Sequence, residues 1–290
     1  MTPELHIFVE DRVLPAAEAK VSVFDAGFQS GDAVWEGLRV YNGKVFRLEH
    51  HLARLEQSAH ALRITLPYGR QGIADAVQQT LDANSFYDDT HLRLMVTRGS
   101  RRTSGMDPRN APERGSLVII AERKPVDPEP TPQRLRTASI RRPHPQFVDA
   151  SIHHANQLNS ILARLEILDE PSIDATLMLD AFGYVAEADT ANIFCVTGGV
   201  VKTPFATSCL HGITREIVLA LSKKAGFPTV EQQLTLFDFY NADEVFVTGT
   251  VCELVPVVSI DQRRVGEGKP GPVWRQLLSL YRELVDGETR

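Results

Sequence analysis

The run GDAVWEGLRVYNGKVFRLEHHLARL, residues 31–55, brings glycines in close succession, a Trp35-Glu36-Gly37 step and Arg39 on a predicted strand, and then turns into a helix. From there Leu48, Leu52, Leu55, Ala59 and Leu62 recur at helical spacing and make one apolar stripe. Ile73, Val77 and Leu81 repeat the pattern in a second helix. Upstream, LHIFVEDRVL reads as a hairpin. Downstream, LRLMVTRG and SLVIIAER read as strands, the second as a continuous buried run. The first third of the chain is therefore mixed α and β.

The stretch KPVDPEPTPQR, residues 124–134, holds four prolines and no apolar pair worth burying, which marks a connector. It divides the chain into an N-terminal α/β domain (1–123), a linker (124–134) and a C-terminal α/β domain (135–290). In the last of these a helix carrying Leu158, Ile161, Leu162 and Leu165 leads to ATLMLD and then to NIFCVTGGVVKTP, whose Gly-Gly pair suits a tight hairpin turn. TREIVLALSKKAG reads as a helix closed by glycine, EVFVTGT as a strand, and GPVWRQLLSLYRELV as a terminal amphipathic helix. No internal repeat or low-complexity tract is present.

With 290 residues, 43% hydrophobic and 23% charged, the composition is that of an ordinary globular chain. Such a length buries roughly 75% of the surface exposed on unfolding, enough to fold without staples. The net charge of −6 is spread without single-sign blocks, which argues against a nucleic-acid or membrane-surface partner. Three cysteines, Cys195, Cys209 and Cys252, are too few and too scattered for a disulfide framework or a zinc knuckle, so a reducing, cytoplasmic setting and no metal are expected. MTPELHIFVEDRVL lacks a charged leader followed by an apolar run, and no window approaches the ~20 apolar residues of a membrane span.

Three places could carry chemistry. In SCLHGITREIVLAL, Gly212, Ile213 and Thr214 open a helix, where unpaired amides and the helix dipole suit a phosphate; the same pattern is also an ordinary helix start. In GYVAEADTANIF, Glu187 and Asn192 lie in or beside a turn before an apolar strand. A carboxylate there could pair with a protonated pyridine nitrogen, or could be a solvated turn residue. In the opening run, Arg54 lies along one helical face from His50, and a guanidinium can grip a phosphate bidentately or join a surface ion pair.

Taken in order, GDAVWEGLRVYNGKVFRLEHHLARL, HLRLMVTRG, NQLNSILARLE, GYVAEADTANIF, LHGITRE and EVFVTGTVCELVPV resemble the class IV aminotransferases. These are the fold-type IV pyridoxal phosphate enzymes, which include branched-chain and D-amino acid aminotransferases and aminodeoxychorismate lyase. The resemblance covers nearly the whole chain. It implies a two-domain architecture, a smaller mixed N-terminal domain and a larger, barrel-like C-terminal one, and a homodimer. It also implies that Arg54 holds the cofactor phosphate with the Ile213 and Thr214 amides, Gly212 and Thr250, and that Glu187, beside Asn192, faces the pyridine nitrogen. Trp35, Arg39, Arg93 and Val251 of the TGTVC turn are then expected in or near the substrate pocket. The loop VTRGSRRTSGMDP resembles that of branched-chain and related aminotransferases.

One departure is chemically serious. In segments similar to IKxxNxLNxxLA the family carries a lysine three or four residues before an asparagine. Asn156, Leu158, Asn159 and Leu162 fit that frame and put His153 in the lysine's place, with Ile152 the less favoured register. Lysine links covalently to the cofactor and afterwards shuttles a proton. Imidazole, with an unperturbed pKa of about 6.5, can do only the second. Of the remaining lysines only Lys202 lies near a family motif. Three readings follow: non-covalent cofactor with retained transamination between an amino acid and a 2-oxo acid, a cofactor- or metabolite-binding protein without catalysis, or a new role for the His153-His154 pair. A lyase activity like that of aminodeoxychorismate lyase competes with transamination. The residue types kept at Arg54, Glu187, Thr214, Thr250 and Arg93 favour retained chemistry.

Overall fold

The computed structural model describes residues 5–290, so the first four residues of the stretch read as leaderless lie outside it. The chain divides into two compact units. One takes the residues up to Val126 together with Ile152–Asn156 and Val285–Arg290; the other takes Asp127–Ser151 and Gln157–Leu284.

The first unit begins with a hairpin, β1 (His6–Val9) and β2 (Arg12–Pro15), followed by a short helix α1 (Ala26–Ser30). Then come β3 (Ala33–Tyr41), β4 (Lys44–Val45), α2 (Leu48–Ala61), α3 (Arg70–Asn84), β5 (Thr90–Thr97) and β6 (Ser116–Arg123). The strands form one antiparallel sheet in the order β2-β1-β6-β5-β3-β4. Side chains alternate across a strand, so Val34, Leu38 and Val40 of β3 share a face with Leu92, Leu94 and Val96 of β5 and Leu117, Ile119 and Ala121 of β6. Leu52, Leu55 and Ala59 of α2 and Ile73, Val77 and Leu81 of α3 close over that face. The apolar stripes expected of the two helices are the stripes they bury.

SLVIIAER differs from its expected continuous burial. In β6 Leu117, Ile119 and Ala121 are buried, while Val118 and Ile120 are half-buried on the opposite face. One face of this antiparallel sheet is packed by helices and the other is only partly covered, so an apolar run does not imply burial on both sides. The free edge of β3 at Ala33–Trp35 is capped by residues 153–155. Trp35 N–H donates to the His153 carbonyl (3.0 Å), Ala155 N–H to the Ala33 carbonyl (2.8 Å), and Val34 bridges His154 antiparallel. Main-chain pairing therefore fixes where His153 lies.

The second unit contains β7 (Gln133–Arg141), α4 (Leu158–Leu165), β8 (Ala175–Leu179), β9 (Val185–Ala188), β10 (Asn192–Thr197) and β11 (Val200–Pro204). These lead into α5 (Ile213–Lys224), β12 (Thr229–Gln232), α6 (Leu236–Tyr240), β13 (Glu244–Gly249), β14 (Glu253–Ile260), β15 (Arg263–Arg264) and α7 (Pro272–Thr289). Its sheet runs β12-β11-β10-β13-β14-β7-β8-β9, with β15 on β14. Gly198 and Gly199 both take positive φ in the two-residue turn joining β10 to β11, a conformation that side chains disfavour. No helix among the described residues is long and apolar enough to cross a membrane.

Leu55 is fully buried between α2 and the sheet. Leu55→Ala is expected to cost about 2–5 kcal/mol in urea unfolding with an unchanged m value; a loss below about 1 kcal/mol would show that α2 is not packed on the sheet as described.

Candidate functional site

In the first unit a carboxylate sits where the strand pattern calls for an apolar residue. Glu36 lies between Val34 and Leu38 on the core face of β3, with its side chain 0% exposed. An ionised carboxylate buried there must be paired. α2 supplies two partners, because His51 and Arg54 stand at the spacing that stacks side chains along one helical face. Arg54 donates through Nε to Glu36 Oε1 (2.8 Å) and through Nη2 to Oε2 (2.7 Å), a bidentate pair. His51 Nδ1 lies 2.7 Å from Oε2.

His153 is the third group around this carboxylate, with Nδ1 3.2 Å from Glu36 Oε1. Its backbone N–H donates to the Ser58 hydroxyl (3.1 Å), and its ring lies against that of Trp35 with centroids 4.3 Å apart. Burial pushes Glu36 upward, but Arg54 and His153 outweigh it and leave the carboxyl well below its ordinary range. Burial pushes His51 and His153 below ordinary imidazole, with Glu36 opposing in both. The cluster is thus a carboxylate, a guanidinium and two neutral imidazoles. His51 Nε2 is buried with no hydrogen-bond partner among the described residues.

The remaining first-unit residues lie on or beside the other face of β3. Trp35 is half-buried, and the Arg93 guanidinium sits 4.2 Å from the centre of its ring. Arg39 is buried and turned toward protein groups, donating to the Lys124 carbonyl (2.5 Å) and lying over the Tyr41 ring. Opposite it in register, burial and then the Lys124 ammonium push His91 down to about 4, so this imidazole is neutral.

In the second unit Glu187 is buried on β9 rather than solvated in a turn. Arg142 Nη2 lies 2.6 Å from its Oε1, while Oε2 accepts from Asn192 Nδ2 (3.3 Å) and from Leu210 N–H (3.3 Å). Burial raises the Glu187 pKa, with Arg142 opposing. Asn192, the first residue of β10, also donates to the Leu210 carbonyl (2.9 Å) and so fixes the chain just before α5. That helix opens on Gly212 without a side-chain cap, leaving its first amides with no partner inside the helix. A Cβ on Gly212 would collide with Asn192 Oδ1, so glycine is required by close approach. Thr248 on β13 keeps a buried hydroxyl with no hydrogen-bond partner among the described residues, ahead of the turn that carries half-buried Thr250 and exposed Val251. Lys202 pairs on β11 with Cys195 of β10.

The structure thus gathers His153, Arg54 and Trp35 in one unit, and Glu187, Asn192 and Gly212 in the other. Sequence reading missed Glu36, His51, Ser58 and Arg142. Glu36 had a detectable signal, a charge in phase with the apolar residues of its strand. His51 sits three residues before Arg54, but nothing in the sequence says that its ring turns inward. Arg142 had no signal.

Comparison with known proteins supports one assignment. The family model described as "Amino-transferase class IV" matches residues 33–260. "Branched-chain-amino-acid aminotransferase-like protein 2" of Arabidopsis thaliana is 47% identical over 98% of this chain, which spans only 51% of that protein, about half its length. The "Putative branched-chain-amino-acid aminotransferase" of Methanocaldococcus jannaschii is 38% identical over 97% of this chain and 96% of its own. The crystal structure of the T.th. branched-chain amino acid aminotransferase complexed with N-(5'-phosphopyridoxyl)-L-glutamate superposes at a TM-score of 0.92, with 31% identity, 100% of this chain covered and 96% of that one. The mixed α and β architecture with its curled second sheet is that of these enzymes, and this chain belongs to the class IV amino-transferase family.

Proposed function

We propose that this chain binds pyridoxal 5'-phosphate without a covalent tether and moves an amino group between an amino acid, branched-chain or similar, and a 2-oxo acid. The observation that carries this reading is His153: its Nδ1 meets Glu36, its ring lies against Trp35 and its backbone is pinned to the β3 edge, which leaves Nε2 as the ring nitrogen without a hydrogen-bond partner among the described residues. The residues fit the cofactor. The uncapped start of α5 and the unsatisfied Thr248 hydroxyl on the strand leading to Thr250 suit a phosphate. A buried carboxylate whose pKa burial raises gains most from a cationic partner such as a pyridinium N–H.

In this reading the Ile213 and Thr214 amides, the Thr250 hydroxyl and Arg54 hold the phosphate, with Gly212 allowing the approach. Glu187 holds the ring nitrogen in its protonated form, kept in place by Arg142 and Asn192. Bound there, the cofactor supplies an electron-withdrawing ring that acidifies the substrate Cα. His153 Nε2 would take the proton from the substrate Cα and deliver it to the cofactor C4′, work that a positioned acid-base group typically accelerates about 10²–10⁴-fold. Trp35 and Arg93 receive the substrate, Arg93 through its carboxylate and Trp35 through apolar contact, with Val251 at the rim. Arg39, turned toward protein groups, supports that face from within.

A homodimer belongs to the same proposal. α4 exposes Leu158, Ile161, Leu162 and Leu165, the last at 54%, while burying only Ser160 and Ala163. Phe147, Leu168 and Phe182 of the same unit are exposed as well. An apolar set of this kind is what a partner surface covers. A cytoplasmic setting is part of the same proposal, and Cys195, Cys209 and Cys252, none of them in a disulfide among the described residues, suit a reducing compartment.

Borohydride treatment of the cofactor-loaded protein is expected to leave the cofactor dialysable, and a reduced cofactor on any lysine peptide would refute the untethered state. His153→Lys is expected to gain a covalent, borohydride-reducible attachment and faster transamination; an unchanged cofactor spectrum would show that another residue occupies the lysine's position. Ile161→Glu combined with Leu165→Glu is expected to halve the mass measured by light scattering while helicity is kept. A monomeric starting protein, or no change in mass, would remove α4 as the interface.

A further inference from the structure

We propose that Glu36 is a positioning residue for His153, holding the Nδ1–H tautomer so that Nε2 alone carries the exchanged proton. This rests on the reading of His153 as the proton carrier and adds the device that makes it one.

The geometry gives little choice. Glu36 is fully buried and, in its ionised form, can only accept hydrogen bonds. Arg54 occupies one direction at each carboxylate oxygen, at 2.8 and 2.7 Å. The imidazole atoms at the other directions are His51 Nδ1 on Oε2 (2.7 Å) and His153 Nδ1 on Oε1 (3.2 Å). Two lone pairs cannot be buried against each other, so both Nδ1 atoms carry hydrogen. Which ring nitrogen bears the proton is set by the bond that the other makes. A neutral His153 with Nδ1–H presents a bare Nε2 lone pair.

Glu36 meets two histidines, yet only one can work. His51 Nε2 is buried with no partner, and a proton delivered there would be a buried, unpaired donor. His153 Nε2 has no hydrogen-bond partner among the described residues and its side chain is 12% exposed, so a proton there is open to exchange. When Nε2 takes a proton the imidazolium stays bonded to Glu36 through Nδ1, so the new charge forms against an existing anion. The ring is held toward Glu36, because the backbone of His153 is fixed by Ser58 and Trp35 and the tilted Trp35 ring packs against it. A lysine at this position would need no such partner, since its ammonium has one nitrogen.

The test is long-range ¹H–¹⁵N spectroscopy of the full chain labelled at histidine, without cofactor, with the His153 signals assigned by their loss in His153→Gln. The expected result at neutral pH is a neutral His153 protonated at Nδ1, and a neutral His153 protonated at Nε2 would overturn the assignment. In Glu36→Gln the tautomer is expected to shift toward Nε2–H and the ring to titrate about one to three pH units lower, as loss of an adjacent anion requires; an unchanged tautomer and titration in that variant would also overturn it. Should Glu36→Gln fail to fold, the tautomer of the unaltered protein decides alone. Cofactor uptake, measured separately, tests the proposed function and leaves this assignment untouched.

Discussion

A carboxylate buried on the core face of a β-strand is the constraint from which the first unit's chemistry follows. Glu36 occupies a position that its strand otherwise gives to valine and leucine, and an unpaired charge there would cost several kcal/mol. Its four hydrogen-bonding contacts convert that cost into geometry. Arg54 is held bidentately, His51 is locked inward, and His153 is drawn from a separate stretch of chain to the edge of β3. The packing of α2 on the sheet and the placing of two residues expected at the cofactor are thus one interaction seen from two sides.

The second unit uses the same device differently. Glu187 is buried too, and each carboxylate meets one guanidinium, but Arg54 grips Glu36 through both oxygens with two imidazoles beside it, whereas Arg142 meets Glu187 at Oε1 and only longer amide contacts reach Oε2; the Glu187 pKa is raised where that of Glu36 is lowered. A carboxylate left short of positive charge is receptive to a cation. One saturated by donors serves to orient them. In the proposed reading the two glutamates serve two tasks, one holding side chains in place and the other receiving a protonated ring nitrogen.

The parts of the fold legible in sequence were those set by local period. The α2 stripe, the β1–β2 hairpin and the Gly198-Gly199 turn follow from spacing and from φ preferences. SLVIIAER was misread because apolar residues on both faces of a strand look the same whether or not both faces are covered. The stripe on α4 was visible, but amphipathicity says which residues share a side and not what covers them. The buried cluster was the least legible. Glu36 pairs with residues 15, 18 and 117 positions away, and only the folded sheet edge brings the last of these to it. His153 could be singled out from the frame around it, whereas the carboxylate that gives it a direction could not.

The central claim is that a vitamin B6 phosphate is held here by its phosphate and ring nitrogen alone. Equilibrium dialysis of the unaltered chain against pyridoxal phosphate and, separately, pyridoxamine phosphate tests it most directly, because only the aldehyde can form a covalent link. The account predicts uptake of both, with dissociation constants within about tenfold of each other, a difference of about 1.4 kcal/mol. Uptake of neither, or an aldehyde bound about a thousandfold more tightly than the amine, would contradict it.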